Sequence, residues 1–289
     1  MTGPVRAMIA LVMATAMYGA AYPVIAASVE SVSPLSFTGW RFLAAAVIAV
    51  SLAFPTRALT WRDAWPGGLL LFAFAATSAL ALRSMMAGMV AVLVSVGFVI
   101  APWVATALDR RRPSPWLVVA SVLAFVGSTL ITLPDGFGLS GGEVWVVPAA
   151  LALALYVNDL RRIATAHQLV PLFGAQYTVA AIAGIVLSIV LGQVHLPSGS
   201  EIGALLGAGV GVLVAAMMVQ LWARPQIGEA RTAAIAALAP GFGVVWSAVF
   251  STAPTTLQWF GAVIVVGSVV IATTRDGDIL MAASITPSR

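Results

Sequence analysis

The sequence has no cysteine and no lysine, and only 8% of its 289 residues are charged. Without cysteine the chain has neither a disulfide framework nor a thiolate site. A soluble domain usually carries roughly 25% charged residues, so this chain has too few to cover a surface in water. The net charge of +4 comes from arginines in short loops. A membrane explains these arginines, and we expect no nucleic-acid partner.

Apolar runs fill almost the whole chain, since 61% of the residues are hydrophobic. A helix that crosses a bilayer needs roughly 20 mostly apolar residues, because lipid offers no partner to backbone polar groups. We therefore predict an all-α integral membrane protein with ten transmembrane helices. The predicted spans are Arg6–Ala27, Pro34–Phe54, Trp65–Leu82, Met85–Leu108, Pro115–Leu133, Val144–Tyr156, Pro171–Leu191, Ile202–Ala223, Thr232–Phe250 and Leu257–Thr273.

The arginines predict the orientation in the membrane. Of the fourteen, all but Arg41 and Arg83 fall at the termini and in alternate loops, on one side of the predicted bilayer. Arginine accumulates on the cytoplasmic side of membrane proteins. We expect a multi-pass protein of the cell (inner) membrane with both termini cytoplasmic.

The two halves of the chain share short motifs at similar spacing. Ala101-Pro102 corresponds to Ala239-Pro240, and Tyr18 corresponds to Tyr156. Each copy would hold five spans, and because five is odd, the second copy enters the membrane from the opposite side. We predict two inverted five-helix repeats, at residues 1–137 and 138–275, and a cytoplasmic tail at 276–289. Inverted repeats place a substrate site near the midplane and allow alternating access.

Arg41 at the head of the second span, the two Ala-Pro pairs and the segment Ile227–Gly267 resemble the drug/metabolite transporter superfamily. Specifically, the chain resembles its EamA-like ten-helix branch, which includes aromatic amino-acid exporters. The resemblance implies a transporter of small molecules with the lipid bilayer as its surroundings.

Ionisable groups inside a span are costly and usually functional. The sequence places no Asp, Glu, Lys or His clearly inside a span. Asp159 and Glu229 are the best candidates for coupling to an ion, although both also fit solvated charges at helix ends. Since no buried carboxylate is visible, we expect that transport does not depend strictly on a proton gradient.

Polar, aromatic and thioether side chains within the spans are the candidate substrate-binding residues. Tyr18 is the strongest, because it lies mid-span and has a counterpart in the repeat. Its i, i+4 neighbour Tyr22 lies on the same helix face. Packing or interfacial roles remain open for each aromatic residue. The full set is Tyr18, Tyr22, Trp40, Ser78, Tyr156, Gln176, Tyr177, Met217 and Gln220.

Prolines and glycines mark further features of the spans. Pro23, Pro102 and Pro240 each remove a backbone hydrogen bond, and both a kink and a gating hinge fit them. The eighth span has glycines at 203, 207 and 211, with Gly209 between them. We expect a small-residue face that packs inside a monomer rather than in a dimer.

These residues favour export of amino acids, aromatic ones included, or of similar neutral or zwitterionic metabolites. A phosphorylated solute would require a buried Arg or Lys, and the sequence shows none. The alternatives are a multidrug or other metabolite carrier, a lipid-scrambling protein and a membrane-embedded enzyme. An enzyme is disfavoured because no His or Cys lies in a span to activate Ser78 or Ser95. We expect no catalytic residues, metal or cofactor.

Overall fold

The computed structural model of the chain describes residues 3–53, 61–110, 112–132, 141–163, 169–250 and 253–275. These ranges are built from helices joined by short turns. The helices are α1 (Gly3–Val29), α2 (Pro34–Ala53), α3 (Trp61–Ala81), α4 (Ala87–Ser95), α5 (Gly97–Leu108), α6 (Pro115–Thr132), α7 (Glu143–Ile163), α8 (Leu169–Val190), α9 (Gly199–Leu206), a π-helical segment (Gly207–Ala216), α10 (Met217–Ile227), α11 (Glu229–Ala236), α12 (Ala239–Phe250) and α13 (Thr256–Arg275).

The described helices form ten stretches along the chain, because three stretches are interrupted. A turn at Val96 separates α4 from α5, and a turn at 237–238 separates α11 from α12. The π-helical segment joins α9 to α10. Among the described residues, seven stretches are long and apolar enough to cross a bilayer, and three apolar stretches are shorter. The ten stretches correspond to the ten predicted spans.

The outward faces of the helices are apolar. Phe125, Val147 and Val190 expose 75%, 70% and 72% of their surfaces. A water-soluble protein rarely exposes apolar side chains over so much of its surface, whereas lipid tails accept them. The exposed faces and the long apolar helices together indicate a multi-pass protein embedded in a membrane.

Glycines let helices from the two halves of the chain approach closely. α2 packs along α8, and a Cβ on Gly184 would lie only 2.7 Å from the Cα of Gly39. α6 packs along α13, where a Cβ on Gly127 would lie 2.8 Å from the carbonyl oxygen of Gly261. Small residues are typical of such contacts in membranes, where backbones meet directly.

The other main contacts also join the halves. α3 packs against α7 and α8, while α1 packs against α12, α10 and the π-helical segment. α7 packs in turn against α4 and α5. The Nδ2 of Asn158 on α7 donates to the carbonyl oxygen of Ala101 on α5 at 2.9 Å. α1, α2, α7, α8 and the π-helical segment therefore surround the interior of the bundle.

Two expectations about the helices are wrong. The sixth span does not end at Tyr156, because α7 continues to Ile163 and includes Asn158 and Asp159. The predicted glycine face of the eighth span does not form at Gly203 and Gly207, where an added Cβ would meet nothing within 4 Å. Gly209 makes the close contact instead, against the backbone of Arg41.

The prolines differ in position. α1 continues through Pro23, and Pro102 lies within α5. Pro240 is the second residue of α12 and directly follows the turn after α11. Whether each acts as a kink or a hinge stays a prediction. The predicted repeat boundary at 137 and 138 and the tail at 276–289 lie outside the described residues.

Candidate functional site

The chain has four tyrosines, and the fold brings all of them together. Tyr18 and Tyr22 come from one face of α1, Tyr156 from α7 and Tyr177 from α8. Tyr18 lies close enough to Tyr156 and to Tyr177 for a charge on one of these side chains to influence the others. Tyr156 and Tyr177 are buried, and the two tyrosines of α1 are half-buried. We call these four residues the tyrosine centre.

Tyr177 connects the tyrosine centre to the π-helical segment. Its hydroxyl donates to the carbonyl oxygen of Leu213 at 2.8 Å and lies 3.5 Å from the sulfur of Met217. The rings of Phe42 and Phe173 lie 5.8 and 6.1 Å from its own ring. A π-helix is rare and occurs frequently at functional sites. The hydroxyl of Tyr177 is therefore held against the irregular part of the eighth span.

Tyr156 connects the tyrosine centre to Gln176. The Tyr156 hydroxyl donates to the Oε1 of Gln176 at 3.2 Å. Gln176 is fully buried, and its Nε2 has no hydrogen-bond partner among the described residues. An unpaired buried donor costs about 1–3 kcal/mol. The Nε2 of Gln176 is therefore available to donate a hydrogen bond.

Arg41 lies beside the tyrosine centre, although it is not among the predicted binding residues. It interacts electrostatically with Tyr22 and Tyr177, and its guanidinium carbon lies 5.1 Å from the centre of the Phe42 ring. The residue is 7% exposed, and its Nε has no hydrogen-bond partner within the described ranges. The expectation that no arginine is buried is therefore wrong, and phosphorylated solutes are no longer excluded on that ground.

The position of Arg41 relative to the start of α2 could have predicted that its side chain is buried. The helix begins at Pro34, so Arg41 lies about two turns inside it. Positive charges placed that far inside a span seldom face lipid.

Two predicted binding residues have their polar groups placed elsewhere, and for a third, Gln220, the structure gives only its position and burial. The indole N–H of Trp40 donates to the carbonyl oxygen of His195 at 2.8 Å, in the chain that follows α8. The hydroxyl of Ser78 donates to the carbonyl oxygen of Phe74 at 2.7 Å, within α3. Gln220 is half-buried on α10. The structure thus gathers the other predicted residues: Tyr18, Tyr22, Tyr156, Gln176, Tyr177 and Met217.

A cavity of about 600 Å³ lies at the end of α1 farthest from Gly3. Pro23 and Glu30 line it from α1 and the following turn, Arg83 lines it from the connection after α3, and Phe250 lines it from the end of α12. No tyrosine lines this cavity, although Pro23 directly follows Tyr22. The four residues of the tyrosine centre are therefore not part of the cavity wall.

Asp159 is the second ionisable residue that the structure places inside a span. Its Oδ2 is buried and has no hydrogen-bond partner in the described part of the chain. A Cβ on Gly67 of α3 would collide with Asp159 Oδ2 and with Gln176 Nε2. Asp159 as a whole is half-buried, so the structure corrects the expectation only in that one carboxylate oxygen is shielded from solvent. Of Glu229, the structure describes only its position at the start of α11.

Residues 5–133 match the EamA-like transporter family. The matched stretch runs from α1 to α6 and covers a little less than half of the chain. Members of the family are transporters and not enzymes. The chain is similar to a solved structure, described only as the crystal structure of a protein, with a TM-score of 0.65 and 17% identity over 95% of this chain and 99% of that one. That likeness concerns the fold alone. Among curated proteins, no sequence matches the chain.

Proposed function

We propose that this protein exports amino acids, aromatic ones included, or similar small zwitterionic metabolites across the inner membrane. Transport takes place by alternating access between two inverted repeats, residues 1–137 and 138–275, in a monomer with both termini cytoplasmic. The substrate lies in the tyrosine centre, between helices of the two repeats.

Arg41 is the observation that carries the proposal. A buried guanidinium without full hydrogen bonding is costly, and a substrate carboxylate satisfies it with charge-assisted, bidentate geometry. The tyrosine rings offer large apolar faces for the substrate side chain and hydroxyls for its polar groups. A zwitterion therefore fits this site better than a solute without charge.

The helix contacts support the inverted repeats. α1 packs against α12 as α7 packs against α4 and α5. α3 packs against α7 as α10 packs against α1. α2 with α8, and α6 with α13, each pair helices that the repeat makes equivalent. A two-fold relation between the halves explains why the contacts occur in matched sets.

The same site argues against the alternatives. A buried arginine repels cationic drugs, which many multidrug carriers bind. A membrane-embedded hydrolase needs an activated nucleophile, whereas the hydroxyls of Ser78 and Ser95 donate to carbonyl oxygens of Phe74 and Val92 in their own helices.

The test is uptake into proteoliposomes of labelled phenylalanine, leucine, uridine and tetraphenylphosphonium. We expect uptake of the amino acids and not of uridine or the cation. Arg41→Met should abolish this uptake. Arg83→Met is the matched control, since Arg83 is exposed and its Nε donates to the carbonyl oxygen of Val29 at 3.3 Å. Uptake of the cation alone, or full activity of Arg41→Met, would contradict the proposal.

A further inference from the structure

Two buried polar atoms without partners face the same small space between α3, α7 and α8. One is the Oδ2 of Asp159, a hydrogen-bond acceptor, and the other is the Nε2 of Gln176, a donor. Both would collide with a Cβ on Gly67, so the glycine leaves room for them to approach. The pair is chemically complementary, and it lies one side chain away from the tyrosine centre.

A continuous path of polar groups leads from Asp159 to the substrate site. Asp159 faces Gln176 across the space at Gly67, and Gln176 accepts the hydrogen bond of Tyr156. Tyr156 interacts electrostatically with both Asp159 and Tyr18. We call Asp159, Gln176 and Tyr156 the relay. Only the bond between Tyr156 and Gln176 is formed in the structure, so a change of charge at Asp159 would reach the tyrosine centre once Gln176 bonds to the carboxyl group across this space.

We propose that the relay binds a proton at Asp159, and that this proton and the ammonium group of a substrate exclude each other. The inference rests on the proposed transport function. Its consequence is exchange, in which a proton enters as the substrate leaves.

The direction of the hydrogen bonds explains the exclusion. With Asp159 ionised, a small movement across the space at Gly67 would let Gln176 Nε2 donate to the carboxylate. Gln176 Oε1 accepts from the Tyr156 hydroxyl, and the lone pairs of the Tyr156 oxygen are left to accept from a substrate ammonium. With Asp159 protonated, its O–H donates to the amide oxygen of Gln176, the rotated amide N–H donates to the Tyr156 oxygen, and the Tyr156 O–H points at the substrate. A donor then faces the ammonium and repels it. Linkage requires that the substrate weakens proton binding by the same factor.

A proton suits this site better than a metal cation. The space at Gly67 offers one carboxylate and an amide donor, whereas hard cations need about six oxygen ligands. Within the described ranges, no three His, Asp or Glu side chains form a group that could hold a metal.

The other charges near Asp159 lie at the same end of the bundle. Arg162 interacts with it electrostatically, and Arg161 pairs at 3.6 Å with Asp109 at the end of α5. α8 contributes the neutral Gln176. α3 begins with exposed Arg62 and Asp63. Arg162 is thus the charged group that interacts with Asp159 directly, and Gln176 is the neutral one that borders the same space.

Infrared difference spectroscopy of the purified protein tests proton binding without any substrate. On acidification we expect a carboxylic-acid C=O band that is lost in Asp159→Asn, together with a tyrosine ring shift that is lost in Tyr156→Phe. Asp109→Asn is the matched control and should keep both signals, because Asp109 is exposed. An acid band that persists in Asp159→Asn would overturn the inference.

Labelled phenylalanine in proteoliposomes tests the coupling. For one-to-one exchange, vesicles about one pH unit more acidic inside should accumulate phenylalanine about tenfold. Asp159→Asn should only equilibrate it, while Asp109→Asn should behave as wild type. Gln176→Leu keeps the carboxyl group but interrupts the relay, so it should keep the infrared band and lose accumulation. It also provides a test if Asp159→Asn does not fold.

The two proposals fail separately. If phenylalanine is not transported but the Asp159 and Tyr156 infrared signals appear, the relay stands and the proposed substrate is wrong. If phenylalanine is transported and Asp159→Asn or Gln176→Leu still accumulates it, the substrate stands and the relay is wrong.

Discussion

Replacing Arg41 with methionine should make the substrate-free protein more stable and abolish transport. In the structure the guanidinium is buried, and its Nε lacks a hydrogen-bond partner in the described part of the chain. Removing an unpaired buried polar group recovers about 1–3 kcal/mol, and apolar replacements of buried ionic groups are often stabilising by a similar amount. Methionine is flexible enough to fill the space beside Phe42. We therefore expect a gain of about 1–3 kcal/mol in the free energy of unfolding.

The same change should weaken binding. Hydrogen bonds to charged groups contribute about 1.5–3 kcal/mol each, which corresponds to about a ten- to hundredfold loss of affinity. At a phenylalanine concentration of about 100 times Kd, the wild type gains about 2.7 kcal/mol from its ligand. A variant with a hundredfold higher Kd gains only about 0.4 kcal/mol under the same conditions.

Thermal unfolding in detergent, with and without phenylalanine, measures both effects. We expect the empty variant to unfold at a higher temperature than the wild type and to show almost no shift with ligand. Arg83→Met should change neither quantity by much, since Arg83 is exposed. If Arg41→Met unfolds at a lower temperature and still responds fully to phenylalanine, Arg41 stabilises the helices and does not bind substrate.

Three further predictions concern other parts of the molecule. Tyr18→Ala should reduce phenylalanine uptake while the protein stays monodisperse in size-exclusion chromatography; wild-type uptake would show that Tyr18 only packs. Gly184→Leu should push α8 away from α2 and lower the unfolding temperature in detergent, whereas Gly203→Leu, in open space, should not; equal stability would refute the close contact. Single cysteines attached at the two ends of this cysteine-free chain should react with an impermeant maleimide only in inside-out vesicles, and labelling of right-side-out vesicles would contradict cytoplasmic termini.

The ten helical stretches and most of the tyrosine centre could be predicted from the sequence. An apolar run of bilayer length must form a helix, because its backbone polar groups find no hydrogen-bond partners in lipid. The spacing of Tyr18 and Tyr22 places them on one helix face, and the match between Tyr18 and Tyr156 directs attention to both. These are local properties of the chain, so they need no knowledge of how the helices pack.

Arg41 and Asp159 show where that reasoning stops. A hydropathy average over a span tolerates one charge, so the sequence alone predicts that each of these residues lies at the nearest helix end. Their burial depends on contacts from distant segments, such as Gly209 against Arg41 and Gly67 against Asp159. The hydrogen bond between Tyr156 and Gln176 depends likewise on the rotation of α7 against α8. Sequence periodicity does not determine that rotation.

The π-helical segment allows the two α-helical parts of the eighth span to rotate relative to each other. Its hydrogen bonds join residues five apart, so each of its turns holds more residues than an α-helical turn. A shift of these bonds to α-helical spacing would rotate all of α10 about the helix axis relative to α9. Met217 would then turn away from the hydroxyl of Tyr177. Gly207 faces open space, and a Cβ on Gly211 would meet nothing closer than the end of the Met17 side chain, so these two positions offer little steric resistance to such a rotation. Gly209, which packs against Arg41, would have to move along that contact.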